Sequence, residues 1–360
     1  MSKPRTGAEF AAKHDPRVII ASLTEELTQI RTQLGIEEAI KSMLGTATLG
    51  LDQIDSPKWL LNPALKTNAP GVPALFLSDW HWGERVYRDQ LNGVNEYDLT
   101  IAKARARRTL ETATFLLNII AQNDMKVYPG IVIPLGGDMI SGDIHDELKT
   151  TNELPTMPTV LDLYDVLVSL LGTAADAFGH VFVPCVSGNH GRNTKKIQHK
   201  DRNHTSFDWL LYQFLARRFA NDPRITFYVP KASDAQFRMY NLRINLTHGD
   251  QFKSGDSIIG PIGPLMRGNQ KKTARQASVG QEYDLLMAGH WHQYMYLRRL
   301  LVNGSLKGYD EFAAFNNFLV EPAQQALFTV HPDIGVNWTM PVLCDKPKKL
   351  QAASWVSVPR

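Results

Sequence analysis

Residues 74–83 read Ala-Leu-Phe-Leu-Ser-Asp-Trp-His-Trp-Gly, an apolar run that stops at Ser78 and gives way to Asp79-Trp80-His81. A short apolar run bounded by polar residues predicts a buried strand, and here a carboxylate and an imidazole follow it directly. The same grammar recurs down the chain. A helical pattern over roughly 98–123 leads to a strand at 130–135 that ends in Gly136-Gly137-Asp138. Another over 159–178 leads to a strand at 181–186 that ends in Gly188-Asn189-His190. A helix near 207–219 precedes a strand at 224–229 and a hairpin, 236–240 turning at Asn241 into 243–247, which ends in His248-Gly249-Asp250. A last apolar strand at 284–288 ends in Gly289-His290-Trp291-His292. Strands alternating with helices predict an α/β sheet covered on both faces. Each polar cluster then falls at a carboxyl strand end, where such sheets place their ligands.

Outside this frame the chain is less patterned. Residues 1–72 read as an N-terminal helical appendage and linker: Ile19, Leu23, Leu27, Ile30 and Leu34 form a nearly heptad stripe, followed by Gly, Pro and Asn punctuation. The stripe predicts an amphipathic helix, and a homo-oligomer through it is the sharper expectation. The clusters assign 73–350 to one catalytic domain with a basic insertion at about 251–280, leaving 351–360 as a tail. Two cysteines, Cys185 and Cys344, are too few for a disulfide framework or a cysteine-rich zinc module, which points to a reducing, cytoplasmic setting. No apolar run approaches the roughly 20 residues a bilayer requires, so no membrane partner is expected.

Eleven histidines are generous for 360 residues, and five of them, His81, His190, His248, His290 and His292, lie in these clusters. With Asp79, Asp138 and Asn189 they form a set of desolvation-sensitive groups along one sheet edge, which calls for a compensating cation. Carboxylate, amide oxygen and imidazole without thiolate suit divalent ions: manganese first, with iron, zinc, nickel or magnesium as the others. D-x-H and H-x-H on extended backbone would point both donors to one side, able to grip one ion. The set is larger than one tetrahedral site needs, and a two-metal centre with a shared carboxylate uses it all.

As an ordered set, the clusters D-x-H, GD, GN-H, H and GH-x-H over residues 79–292 resemble the signature of the calcineurin-like metallophosphoesterases. The resemblance implies a four-layer α/β/β/α sandwich, two mixed sheets face to face with helices outside. It implies that Asp79, His81, Asp138 and His292 hold one ion. Asp138 would bridge to a second ion, completed by Asn189, His248 and His290. His190 would stand beside the scissile phosphate as general acid or electrostatic stabiliser. Gly83 extends the first cluster to D-x-H-x-G, similar to the branch of the double-strand-break repair nucleases and small phosphodiesterases; the wording of the later clusters resembles phage or prophage members. Two positions depart from the family pattern. Ser141 and Gly191 stand where carboxylates or a histidine are usual, so the expected orienting partner of His190 is Asp143, or Asp146 or Glu147 beyond it.

Charge suggests the substrate. Residues 191–202 carry a local +4, with Arg192, Lys195 and Lys196, and 267–275 carry another, with Lys271 and Lys272; the chain as a whole is only +3. Basic loops near a dinuclear centre suit a polyanion, and Arg192, Lys195, Lys196, Lys271 and Lys272 are the expected substrate contacts. Trp80, Trp82, Trp291 and Tyr294 are placed either to stack on bases or to pack the sheet. Arg105, Arg107 and Arg108 read as a solvated helix face, and Gly304–Phe312 carries no chemical signal. The expected activity is hydrolysis of phosphodiesters, in nucleic acid or oligonucleotides, through in-line attack by a metal-bound hydroxide. A phosphomonoesterase or small-molecule phosphodiesterase is the first alternative, and a non-catalytic, metal-containing nucleic-acid-binding or scaffold protein the second.

Overall fold

The computed structural model describes residues 56–61, 70–253 and 260–346. The stripe of residues 19–34, the oligomer contact expected of it and the tail at 351–360 lie outside the described residues. The described residues up to 276 and from 282 onward form one unit, which carries all the clusters.

After a single helical turn, α1 (Lys58–Leu61), the chain builds a six-stranded mixed sheet. Its strands are β1 (Val72–Phe76), β2 (Ile131–Val132), β3 (Val181–Pro184), β4 (Ile225–Tyr228), β10 (Gln324–His331) and β11 (Gly335–Leu343), in spatial order β11-β10-β1-β2-β3-β4. β1 to β4 run parallel, with Ala74 opposite Val132 and Val132 opposite Phe182, while β10 and β11 add antiparallel at the β1 edge. The parallel crossovers are made by α2 (Leu99–Ile120), the short α3 (Asp146–Thr151) with α4 (Thr156–Phe178), and α5 (Phe207–Arg218). Asp98 starts α2 by accepting from the Ile101 amide at 2.7 Å, satisfying one of the free N–H groups of the first turn.

The second sheet is also mixed, in the order β5-β6-β7-β9-β8. It comprises β5 (Ala235–Met239), β6 (Leu242–Thr247), β7 (Leu285–Ala288), β8 (Met295–Leu297) and β9 (Leu300–Val302), and α6 (Ile262–Ser278) links β6 to β7. α7 (Glu311–Phe315) lies in the connection from β9 to β10. The two-residue period of a strand shows how the layers stack. In β1, Leu75 packs in a core with Leu110, Leu163 and Leu211 from α2, α4 and α5. Its neighbours Ala74 and Phe76 pack in another, with Phe237, Leu246 and Met287 of the second sheet. Leu286, Ala288, Leu300 and Val302 form a third core with Leu265 of α6. Helices, sheet, sheet and helix therefore succeed one another, the four-layer α/β/β/α sandwich that the resemblance implies.

Two expectations need correcting, and two strand pairs go unforeseen. The basic stretch 267–275 is no punctuated loop but part of α6, because the glycine and proline that suggested a loop, Gly263 and Pro264, fall in its first turn, where proline is tolerated. The β10–β11 hairpin and the small β8–β9 pair carry no cluster and are not read from the sequence. Arg105 is buried rather than solvated: it donates to the carbonyls of Leu306 and Lys307 at 3.1 and 2.6 Å and pairs with Asp345. No helix among the described residues is long and apolar enough to cross a membrane.

Candidate metal centre

The clusters after β1, β2, β3, β6 and β7 meet at one edge of the sandwich, and backbone contacts fix them before any side chain does. The Asp79 amide donates to Gly137 O, and the His81 and Trp82 amides to Asp138 O and Met139 O, each at 3.0 Å. Asp208, fully buried in the first turn of α5, accepts from the amides of Asp138, Met139 and Gly188 at 3.0, 3.2 and 2.9 Å. It ties the second cluster to the third.

The donors do not sit on extended strands. Asp79, His81, Asp138, His290 and His292 have φ of 56°, 46°, 50°, 69° and 54°. They are five of the eleven non-glycine residues in this left-handed region among the described residues, so strain is concentrated at this edge. The strained turns change what alternate spacing achieves. Asp79 and His81 share a group with His292, whereas His290 belongs to a different group with Asp138 and His248; within each group the ligand atoms lie within 4.8 Å of one another. H-x-H is thus divided between two sites rather than gripping one ion. A third group, His81, Asp138 and His190, lies between the other two.

Distances inside the groups are short. His81 Nε2 lies 3.0 Å from His292 Nε2, and His292 Nε2 lies 3.4 Å from Asp79 Oδ1. His248 Nε2 lies 3.0 Å from Asp138 Oδ2 and 3.1 Å from Asn189 Oδ1. Asp138 Oδ1 accepts the His190 amide at 2.7 Å, and Asp79 Oδ1 the His290 amide at 2.8 Å. Two imidazoles are held from behind at Nδ1. His248 Nδ1 faces Gly136 O at 2.8 Å and His190 Nδ1 faces Ser141 O at 2.9 Å. A carbonyl can only accept, so both Nδ1 atoms carry hydrogen and both Nε2 atoms face inward. His81 Nδ1 lies 3.1 Å from Glu84 Oε2 but makes no hydrogen bond to it.

Electrostatics fit the same arrangement. Burial and the nearby Lys307 hold His81 down to about 3, and burial and His248 hold His290 down to about 4, so both are neutral with lone pairs to offer. Burial also lowers His248, but the Asp138 carboxylate outweighs it and pushes the imidazole up to about 10. Burial alone would raise Asp138, yet His248 keeps it well below the usual carboxylate range. The proton on His248 balances buried carboxylate charge where a cation would otherwise do so. Two buried carboxylates, an amide oxygen and neutral imidazoles make a donor set suited to divalent ions.

Behind His81 stands a network that sequence reading missed. Glu84, Lys307 and Asp310 are 7%, 4% and 5% exposed, and Lys307 Nζ lies 2.6 Å from both Glu84 Oε1 and Asp310 Oδ2. Gly304–Phe312 therefore supplies a buried ammonium beside the site, held in place by Arg105. Lys307 and Glu84 are 223 residues apart, and Glu84 directly after the D-x-H-x-G cluster was the one local signal. Asp208 was likewise missed, hidden in an ordinary helical pattern.

Asp143 is exposed and does not orient His190; neither do Asp146, which pairs with Lys149 on the surface, or Glu147, which is exposed. The reason is the turn at Gly142, with φ of +66°, where a Cβ would stand 2.1 Å from His190 O. That turn leaves the Ser141 carbonyl against the ring and carries Asp143 outward. Among the expected substrate contacts, Arg192 donates to Asn189 O at 2.9 Å, beside the donors, and Lys195, Lys196 and Lys271 are exposed. Lys272 is committed to a mostly buried pair with Asp234 at 2.7 Å, so it is not free to meet a substrate. Trp80 and Trp82 are fully buried, their indoles donating to Gln325 and Asp162 at 3.1 and 2.8 Å, so they pack the core and stack on no base.

No protein-family model matches the chain. No curated protein matches it either. Solved structures do. Vps29 of Entamoeba histolytica, in a single-mutant form, is similar at 14% identity and a TM-score of 0.31, covering 75% of this chain and 99% of that one. Wild-type Vps29 of the same organism, complexed with zinc, is similar at 13% identity and a TM-score of 0.30, covering 76% and 100%. A Streptococcus pneumoniae protein described as a predicted phosphoesterase is similar at 11% identity and a TM-score of 0.27, covering 71% and 82%.

Proposed function

We propose that this chain is a metal-dependent phosphoesterase that hydrolyses phosphodiesters, nucleic acid or oligonucleotides above all, with two divalent ions of which manganese is the first candidate. Asp79, His81, His292 and Asp138 would hold one ion, and Asp138, Asn189, His248 and His290 the other. When bound, such ions polarise a phosphoryl oxygen and favour attack by water. The reading rests on one observation above all: buried Asp138 takes part in a donor group with His81 and His190 and in another with His248 and His290.

The remaining roles belong to side chains. His190, with Nδ1–H directed at Ser141 O, keeps Nε2 toward the donors. Burial holds it below the ordinary histidine range. An anionic phosphoryl group raises it again, and from Nε2 it hands a proton to the leaving oxygen. Arg192 and the exposed Lys195, Lys196 and Lys271 bind the flanking backbone of a polyanion.

The test is turnover of bis-p-nitrophenyl phosphate and p-nitrophenyl phosphate with added Mn²⁺, beside labelled single- and double-stranded DNA and RNA. Diester and nucleic-acid cleavage, lost in Asp138→Asn, is the expected result. Activity confined to the monoester overturns the diester preference. No turnover above the Asp138→Asn control overturns the enzymatic reading.

A further inference from the structure

Five large apolar side chains stand bare within nine residues: Phe312, Phe315, Phe318, Leu319 and Val320 are 49–86% exposed. The segment that carries them is fixed at both ends of α7. Asp310 caps the helix by accepting from the Ala313 amide at 2.8 Å, while its other carboxylate oxygen holds Lys307. Past the helix, Asn317 turns to a φ of 56°, and the amides of Asn317 and Phe318 return to Ala314 O and Ala313 O at 3.1 and 2.9 Å. Those two bonds make a Schellman ending, in which the residue after the turn packs back on the helix. Here the contact is Phe318 on Phe312, with ring centroids 6.1 Å apart. The phenylalanines are thus held out by ordered backbone rather than by a loose loop, and an apolar tip of this kind marks a contact surface.

Beside the tip lies a cleft of about 470 Å³, lined by Arg85, Val86, Tyr87, Arg88, Gly93 and Glu96 among others. Tip and cleft are joined. Glu311 Oε1 accepts from the Tyr87 amide at 2.7 Å, and Asn95 Nδ2 donates to the carbonyls of Lys307 and Tyr309 at 2.8 and 2.6 Å. The exposed charges of the cleft cancel, Arg85 and Arg88 against Asp89 and Glu96. With no net sign, this face draws neither a polyanion nor an anionic membrane, in contrast to the basic stretch 191–202.

We propose that this face is a two-fold interface with a second copy of this chain, Phe315 of each copy entering the cleft of the other. A two-fold contact sets one patch against itself, so each copy must carry both the projection and its receptacle. Phe315, the barest of the five at 86%, is the projection, and the cleft beside it is the receptacle. Across the axis, the mixed rim lets an arginine of one copy meet a carboxylate of the other. The area is sufficient. At ~200 Å² for a whole phenylalanine side chain, the three together bare roughly 400 Å². Leu319 and Val320 bring the patch to about 600 Å², the top of the range for the largest apolar patch on a monomer. With its polar rim it reaches the ~800 Å² per copy of a standard interface. An apolar share near ~75% is closer to homodimer interfaces, ~65%, than to transient ones, ~57%. The contact is independent of the stripe at 19–34 and of the reaction proposed for the metal centre.

The experiment is sedimentation equilibrium of the full chain over about 1–100 µM, because a dimer is governed by protomer concentration. Wild type is run beside Phe315→Glu/Leu319→Glu and beside Phe115→Glu, a control at a phenylalanine 62% exposed on α2. Wild type and control should dimerise alike. The double variant should raise the dissociation constant about 30-fold or more, as expected for loss of a central aromatic anchor, with an unchanged Tm. A wild type that stays monomeric overturns the proposal, and its pelleting with phosphatidylcholine vesicles would then assign the face to lipid. A double variant that dimerises like wild type overturns it as well. If the double variant does not fold, hydrogen exchange of the wild type decides. The amides of 312–320 should exchange several-fold more slowly at the top of the concentration series than at the bottom, and equal rates overturn the proposal.

Discussion

Gly142→Ala probes how the third cluster is held, and Gly179→Ala supplies its control. Both glycines have positive φ, +66° and +77°, so alanine at either costs about 1–2 kcal/mol for the left-handed backbone alone. Their surroundings differ. Gly179 ends α4 with nothing within 4 Å of a built Cβ, whereas at Gly142 that atom would stand 2.1 Å from His190 O. A carbon and an oxygen need roughly 3.2 Å, so the turn and the His190 backbone must part by about 1 Å, and such overpacking costs a further ~1–3 kcal/mol. An unfolding entropy of ~2.1 cal/mol/K per residue, over the roughly 280 described residues, converts these to Tm losses. Gly179→Ala should lose about 2–3 °C and Gly142→Ala about 3–8 °C in scanning calorimetry. The same displacement opens the 2.9 Å contact between His190 Nδ1 and Ser141 O. Diester turnover should then fall about 10–100-fold in Gly142→Ala, as expected of a misplacement near 1 Å, and stay at the wild-type level in Gly179→Ala. Equal Tm losses together with wild-type turnover in both variants would refute the reasoning.

Metal-free stability should depend on pH through His248. Its folded pKa, about 10, lies above the unfolded value, so its stabilising effect is complete below pH ~6.5 and fades as pH rises toward 10; urea midpoints across that range test it. Loading with Mn²⁺ near pH 7.5 should release about one proton per chain, from His248 and not from His81 or His290, measured by calorimetry in buffers of different ionisation enthalpy. Arg105→Met removes charged hydrogen bonds from the carbonyls of Leu306 and Lys307 and should destabilise the fold by about 3 kcal/mol, with faster proteolysis in 304–310 as the local signature. Lys195→Ala/Lys196→Ala should lower the salt slope of duplex binding by about 2 while leaving Tm unchanged. Lys272→Ala, which breaks the Asp234 pair, should do the reverse.

The sequence made the centre visible because its donors follow short apolar strands and lie within a few residues of one another. Asp79 and His81 are two residues apart in the chain and share one donor group in space. Glu84, Lys307 and Arg105 were invisible for the opposite reason: a buried charge declares itself only by its partner, and Lys307 meets Glu84 across 223 residues. The orienter of His190 failed differently. The family pattern places a carboxylate side chain there, and the group in place is the Ser141 carbonyl, which any residue type supplies. Of the fold, the parallel strands and their crossovers were legible from alternating period and punctuation. The β10–β11 hairpin was not, since its outer strand β11 is half exposed and carries a mixed pattern. Gly263 and Pro264 concealed α6 because local punctuation cannot distinguish a loop from the first turn of a helix.

Five donors occupy backbone positions where glycine is the natural resident. Evolution under heat alone would therefore work against this centre. A library of the chain, screened only for surviving high temperature, should drift first at His292, whose side chain is partly exposed, so that glycine there relaxes the turn and leaves little void. Asp79 and Asp138 would resist, because each carboxylate also holds a main-chain amide of another loop. Asn189 and His248, whose backbones carry no such tension, would persist longest without selection for chemistry. The order in which an idle copy of this protein loses its donors is thus written in its dihedral angles.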